Sequence, residues 1–270
     1  FVGCKSLVKI TIPPAVTSIG ICSFMWCTAL KEITIPESLT AIQMKTFKHC
    51  FSLEKISIPQ SVTMIGQKAF ADCKSLTRIE IPSSVTQIEK QAFEFCTSLN
   101  EIILPSSIKK IDEGCFYNCC SLTKIELPSS ITCISKNAFK KCKSLQEITI
   151  PSSISTISNS TFYLCDSLTK IDLPNTITKI GNNAFKECIS LQEITIPSSV
   201  KEICMFAFKL CKSLKKIIIP DSVTSIGKNA FQSCSALEEV TISSSLKTIE
   251  SFVFSECSKL TSVVIPSSVT

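Results

Sequence analysis

The groups in this chain that could do chemistry are 17 cysteines, one histidine and 22 carboxylates, spread over 270 residues. Thiolates could attack, ligate a metal or pair as disulfides. The spacing argues against a metal site. No Cys-x-x-Cys pair occurs, and Cys115, Cys119 and Cys120 form only a loose group. His49 is the sole histidine, which excludes a multi-histidine metal site and leaves little room for a histidine-based triad. Equivalent positions elsewhere hold Asp72, Asn118, Lys141 and Glu187, so His49 reads as an ordinary surface residue. No glycine-rich phosphate loop is present. The sequence therefore assigns no catalytic residue, cofactor or metal ligand, and the chain is not expected to be an enzyme.

The cysteines are better explained by periodicity. Twelve of them, from Cys4, Cys27 and Cys50 to Cys234 and Cys257, fall at steps of 23 residues without a single insertion. A column in register could be a disulfide framework, because neighbouring rungs of a stack are close enough to bridge. It could equally be a line of buried free thiols, with Cys acting as a small apolar residue. A periodic core position needs no pairing, which favours the second reading. Cys22, Cys115, Cys120, Cys133 and Cys204 lie out of register and are expected to be exposed and reactive.

Those thiols must be positioned by a repeating unit. Leu follows each in-register Cys by three positions, from Leu7 to Leu260. Two alternating aliphatic residues come next, such as Ile148 and Ile150, followed by a Pro that Ser243 replaces once. An invariable Ile (Ile19 to Ile249) and a Phe (Phe24 to Phe254) complete the unit. Leu-x-x-Ile-x-Ile ends in period-2 alternation, the mark of a short strand with one buried face. Pro lacks a ladder donor and ends the strand. A second extended piece, as in Val62 to Ile65, adds inward side chains. The stretch Lys68 to Phe70 is expected to be a turn or short helix that returns the chain. One unit cannot bury enough by itself, so neighbours must stack. Twelve equal strands then form one parallel sheet about 55 Å across.

The outward strand positions carry a pattern of their own. Lys9, Glu32, Lys55, Arg78, Glu101, Lys124, Glu147, Lys170, Glu193, Lys216 and Glu239 alternate in sign at nine of ten steps; only Lys55–Arg78 is alike. Opposite charges on adjacent strands attract. Glu80, Glu126 and Asp172 follow the basic residues of alternate units, giving a 46-residue super-period. The ladder neutralises itself, so the sheet face should not capture a strongly charged ligand.

Candidate partner contacts are the large apolar side chains at variable positions. Trp26, Phe95, Tyr117 and Tyr163 lie near the Phe-containing turn, in the company of Met25, Leu164, Met205, Phe206 and Leu210; Ile103 and Ile218 project from the sheet. Exposed together, they would mark a contact surface; the alternative is that they fold onto the turn and pack. Asn159-Ser160-Thr161 is a glycosylation sequon, making Asn159 a candidate modification site. The net charge of +6 is almost all Lys, with Arg78 the only Arg, so nucleic acid is not expected as a partner. No apolar run is long enough to span a membrane as a helix, and no signal peptide is evident.

The motif in Cys211, Ser213, Leu214, Ile217, Ile219, Pro220, Ser222, Val223, Thr224, Ile226, Gly227, Ala230 and Phe231 resembles the BspA-like, or treponemal-type, leucine-rich repeats. The resemblance spans the whole chain. Only the Gly after the invariable Ile departs from it in most units, persisting as Gly20, Gly66, Gly181 and Gly227. It implies an α/β repeat solenoid: a curved superhelix, with one parallel strand per 23-residue repeat on the concave side and short turns or helices on the convex side. Residues 1–270 would be a single domain of about 11.5 repeats. Since the sequence starts late in one unit and stops within another, it is expected to be a piece of a longer protein. The resemblance further implies a non-enzymatic scaffold binding host or matrix proteins, at the cell surface or secreted. The free-thiol reading favours an alternative, an intracellular scaffold in a reducing compartment.

Overall fold

The computed structural model describes residues 1–270. Alternation sets the first ladder. In Lys9–Thr11 the outer residues face solvent and Ile10 turns inward, and this strand pairs in parallel and in register with Glu32–Thr34, which pairs with Lys55–Ser57. Each residue meets its counterpart 23 positions on: Lys9 lies beside Glu32 and Ile10 beside Ile33. A second parallel ladder uses the invariable Ile, running through Ala41–Ile42, Met64–Ile65 and Gln87–Ile88 and again through Thr156–Ile157 to Ser225–Ile226.

Between the two ladders the chain turns at Pro. The Pro59 carbonyl accepts from the Val62 amide at 3.1 Å. The serine two places after Pro ties neighbouring turns together. Ser61 and Ser84 donate their hydroxyls to the carbonyls of Leu39 and Val62 in the preceding rung, at 2.6 and 2.7 Å. Where Ser243 replaces Pro, its hydroxyl reaches the Val223 carbonyl at 2.7 Å, so the buried hydroxyl is satisfied.

The returning segment contains no helix, which corrects the α/β expectation: the solenoid is built from strands and turns. Two residues per rung, four apart, take left-handed backbone angles, as in Lys45 and His49, Lys68 and Asp72, or Asn137 and Lys141. Alternate amides therefore serve different partners. Lys48 and Cys50 donate back three residues to Lys45 and Phe47, whereas Lys45, Phe47 and His49 donate forward to Gln67, Ala69 and Ala71 of the next rung. A helix would need those forward-pointing amides for its own carbonyls. Three such bonds recur at every step from Cys22 to Ser255, making this turn edge a third, unbroken ladder.

Inside, one apolar cluster runs from Ile12 to Cys257. The repeat phenylalanines stack from Phe1 to Phe254; Phe70 and Phe93, for example, have centroids 5.4 Å apart and rings tilted by 3°. Beside them stand the in-register thiols, all free. They are more than small apolar fillers. Cys50 Sγ donates to the Phe24 carbonyl at 3.1 Å, and the pattern repeats up to Cys257 and Phe231. Each such carbonyl also accepts the amide of its own rung's Cys, so both lone pairs are used. Burial pushes the enclosed thiols up, to about 12 for Cys50 and well above the ordinary value for Cys73, whereas the hydrogen bond with Cys234 lowers Cys257 near the end of the stack.

The first ladder is not the single twelve-stranded sheet that equal strand lengths imply. Past Ser57 it parts into couples: Arg78–Glu80 with Glu101–Ile103, Lys170–Ile171 with Glu193–Ile194, and Lys216–Ile218 with Glu239–Thr241. Bridges at Lys124–Glu147 and Thr149–Asp172 span the middle. The amide leading into the strand shows the same alternation. Within couples it reaches the previous rung at 3.0 Å (Asn100 to Thr77) and 2.8 Å (Glu238 to Lys215), against 3.3 Å (Thr169 to Gln146) and 3.4 Å (Lys215 to Gln192) between couples. The 46-residue super-period is thus a structural unit as well as a charge pattern.

Candidate functional site

On the sheet face, each couple is joined by a basic residue reaching forward to the carboxylate of the following rung. Arg78 meets Glu101 at 3.4 Å, Lys124 meets Glu147 at 3.7 Å and Lys170 meets Glu193 at 3.6 Å; Lys9–Glu32 and Lys216–Glu239 complete the set. No outward ion pair of this column crosses between couples. Shallow hollows open there, as one of about 240 Å³ does within the Lys124–Glu147 couple. One of about 690 Å³ lies between the strands of Glu101 and Lys124, and one of about 280 Å³ between those of Glu193 and Lys216. Ile103 lines the first and Ile218 the second, and both stay exposed, at 41% and 53%. The two are far apart in the stack and form no common patch.

The other four candidates lie on the turn edge, in two adjacent columns. Tyr117 and Tyr163 share one with Lys140, Lys186 and Lys209; Trp26 and Phe95 share the next with His49, Asp72, Asn118 and Lys141. Both columns are placed by the left-handed turn, since Trp26, His49 and Phe95 themselves adopt positive φ. These side chains are partly packed, not fully folded away. Trp26 retains 39% exposure while its ring stacks on His49 at 3.8 Å and meets the edge of Phe51 at 5.8 Å. Phe95 and Tyr117 form an edge-to-face pair at 5.1 Å. Tyr163 lies between the ammonium groups of Lys140 and Lys186, at 5.1 and 5.0 Å from its centroid. Burial and the neighbouring Glu187 carboxylate raise its phenol above the ordinary value.

His49 is not the ordinary surface residue its column predicts. It is enclosed by Trp26 and Phe51, and its Nδ1 lies 3.2 Å from the Asp72 carboxylate without hydrogen-bond alignment. Burial pulls its pKa below 6.5, with Asp72 opposing and Lys48 and Lys74 assisting. The signal was in the sequence: Trp26, His49 and Asp72 are spaced by 23 residues and so had to be neighbours.

Two out-of-register thiols also differ from expectation. Cys115 is fully buried, because it occupies the column of Ala69 and Ala92 just before the stacked Phe. Cys204 is 6% exposed in the column of Gly66 and Gly181; its thiol donates to Glu202, and burial with that carboxylate pushes it up to about 11. Cys133 is exposed, and Cys22 and Cys120 are half-buried. Asn159 is exposed, yet its Oδ1 accepts the Asn182 amide of the next rung at 2.9 Å, and Thr161 of the sequon is buried. No three His, Cys, Asp or Glu side chains gather closely enough to hold a metal ion. No helix is long and apolar enough to cross a membrane.

Comparison with known proteins agrees with this architecture. The model of the BspA type leucine rich repeat region matches six copies, over residues 1–119, 63–168 and 155–270. A leucine-rich repeat protein from Bacteroides ovatus is 30% identical, with 96% of this chain and 79% of that one aligned at a TM-score of 0.69. A leucine-rich repeat protein from Eubacterium ventriosum is 25% identical, with 95% and 71% covered and a TM-score of 0.60. The pneumococcal vaccine antigen PcpA shares the fold at 24% identity, with 100% and 84% covered and a TM-score of 0.67. No curated protein sequence matches. With every rung from end to end falling within the matched repeats, the chain belongs to the BspA-type leucine-rich repeat family.

Proposed function

We propose that the chain is a non-enzymatic protein-binding scaffold, of the adhesin type displayed on a cell surface or secreted. The observation that carries the binding reading is the turn edge. A continuous ladder holds Trp26, Phe95, Tyr117 and Tyr163 in two fixed columns, each partly exposed, and aromatic side chains on a rigid support are the usual anchors of protein interfaces. Ile103 and Ile218 are secondary contacts on the sheet face. The family resemblance supports the surface placement, with a host or matrix protein as partner and Asn159 as a candidate glycosylation site. Binding of purified matrix proteins to the immobilised chain tests the reading, with Trp26→Ala and Tyr163→Ala compared with the unaltered protein. Binding that both substitutions weaken supports it; a chain that binds none of them speaks against it.

The free thiols favour a second reading, an intracellular scaffold. Thiol titration of protein taken from its own cells separates the two. Surface labelling of intact cells supports the first reading; a complete count of free thiols with no labelling and an unmodified Asn159 supports the second.

A further inference from the structure

Five rungs of the turn edge bring positive charge and aromatic rings together. Lys140 Nζ stands 5.4 Å from the Tyr117 centroid and 5.1 Å from that of Tyr163. Lys186 Nζ is 5.0 Å from Tyr163, Lys209 Nζ 5.5 Å from Phe206, and Lys141 Nζ 5.9 Å from Tyr117. On the sheet face the alternating column supplies a carboxylate for nearly every ammonium. Here Lys140, Lys141 and Lys209 have none within 4.0 Å, and Lys186 has only Glu187 at 3.8 Å. The rings attract these cations but carry no net charge, so Glu187 alone offsets part of the field. Burial together with repulsion from Lys141 and Lys186 lowers the Lys140 pKa, as expected for a group that lacks a counter-ion. Apolar side chains lie among the charges: Met205 is 42% exposed, and Leu164, Phe206 and Leu210 are half-buried.

We propose that this strip docks an extended acidic peptide segment of a partner protein, its carboxylates on Lys140, Lys186 and Lys209 and its apolar residues over Tyr163, Leu164 and Phe206. The proposal rests on the protein-binding reading and names the chemistry of the partner. Charge complementarity selects an acidic ligand. The interleaved apolar side chains select a peptide over a purely polar polyanion, and the absence of Arg from the strip removes the fork suited to phosphates. From Tyr117 to Lys209 are four steps of about 4.8 Å, near 19 Å in all, which is the length of about six extended residues.

Fluorescence anisotropy with a labelled peptide of alternating Glu and Leu, about eight residues long to cover that span, tests this on the full chain. Binding is expected, weakened by added salt and reduced about tenfold or more by Lys140→Gln with Lys186→Gln. The sheet-face substitution Lys55→Gln, which also removes one positive charge but lies off the strip, should leave it unchanged. Thermal melting of the double variant, and the single exposed-edge variant Lys209→Gln, guard against a folding defect; the latter should also weaken binding. The proposal is overturned by no binding, by equal binding of a peptide with Lys in place of Glu, or by tighter binding of a sulfated oligosaccharide. Loss caused by Lys55→Gln alone would overturn the strip yet leave the scaffold reading in place. If the chain binds matrix proteins but not this peptide, only the strip fails; if it binds neither, both fail.

Discussion

Reversing Glu147 to Lys puts the charge ladder to a quantitative test. The substitution removes the Lys124–Glu147 pair, at 3.7 Å, and sets a new ammonium between those of Lys124 and Lys170, so that three consecutive rungs carry like charges. Both partners of the lost pair are more than half exposed, so the Coulomb energy belongs to a watery medium. At about 5 Å, each new like-charge contact then costs about 0.8 kcal/mol. Two contacts plus a lost surface pair of about 0.2–1 kcal/mol give a loss of about 2 kcal/mol at low salt. In about 1 M salt the screening length falls to about 3 Å and the loss should shrink to about 0.4 kcal/mol. Urea unfolding at both salt levels measures it, with Glu147→Gln as the control that loses only the pair. A loss independent of salt, or no larger than that of the Gln variant, would refute the electrostatic reading. Exchanging both partners (Lys124→Glu with Glu147→Lys) sharpens the test. The couple keeps its pair, but like charges now meet across both boundaries, at Glu101 and at Lys170, so the double variant should recover only the pair's share, about 0.2–1 kcal/mol, at low salt.

Three further outcomes are expected. Phe139→Ala removes a fully buried ring from between Phe116 and Phe162, at 5.5 and 5.7 Å, and should cost about 3–5 kcal/mol in chemical unfolding; a cost near 1 kcal/mol would mean the stack collapses onto the gap. Because His49 has a folded pKa below 6.5, the unfolded chain takes up its proton first as pH falls; its contribution to stability is full above 6.5 and erodes below it. Emission of Trp26, the only tryptophan, should change with a midpoint below 6.5 and lose that change in His49→Gln, whereas a midpoint at or above 6.5 would contradict the burial argument. Gly66→Ala places a Cβ 2.7 Å from the backbone nitrogen of Met44 and should destabilise by about 1–3 kcal/mol in thermal melts, more than Glu89→Gly at the equivalent position; the reverse order would show that the rung shifts freely.

The ladders, the stacked Phe column and the sign alternation were legible because a strict 23-residue period turns sequence spacing into spatial adjacency. The short helix admitted beside a turn at Lys68 to Phe70 was not excluded by that spacing. A turn that sends alternate amides to the next rung has no side-chain signature beyond tolerance of left-handed residues, and Trp26, Phe95 and Leu164 are poor advertisements for one. The division of the first ladder into couples was half visible. The super-period in Arg78, Glu101, Lys124 and Glu147 announced the grouping, but which neighbours would pair depends on how far a basic side chain reaches along the stack. The candidate contacts were found by type, as large apolar residues at variable positions. Their arrangement was missed: Tyr163 matters together with Lys140 and Lys186, and Trp26 together with His49.

The unbroken ladder of the turn edge has an electrical consequence. All its inter-rung amides point toward the C-terminal end and all their carbonyl partners toward the N-terminal end, three per rung. With a peptide dipole of about 3.5 D, ten steps sum to at most on the order of 100 D along the solenoid axis. The polarity is opposite to that of an α-helix, being positive at the C-terminal side. Cut at any rung, this edge shows donors on one face and acceptors on the other. Further rungs can therefore be added head to tail, while head-to-head contact would set carbonyl against carbonyl. Along its turn edge the molecule is a rod with two unlike poles, and the polarity grows with every repeat added.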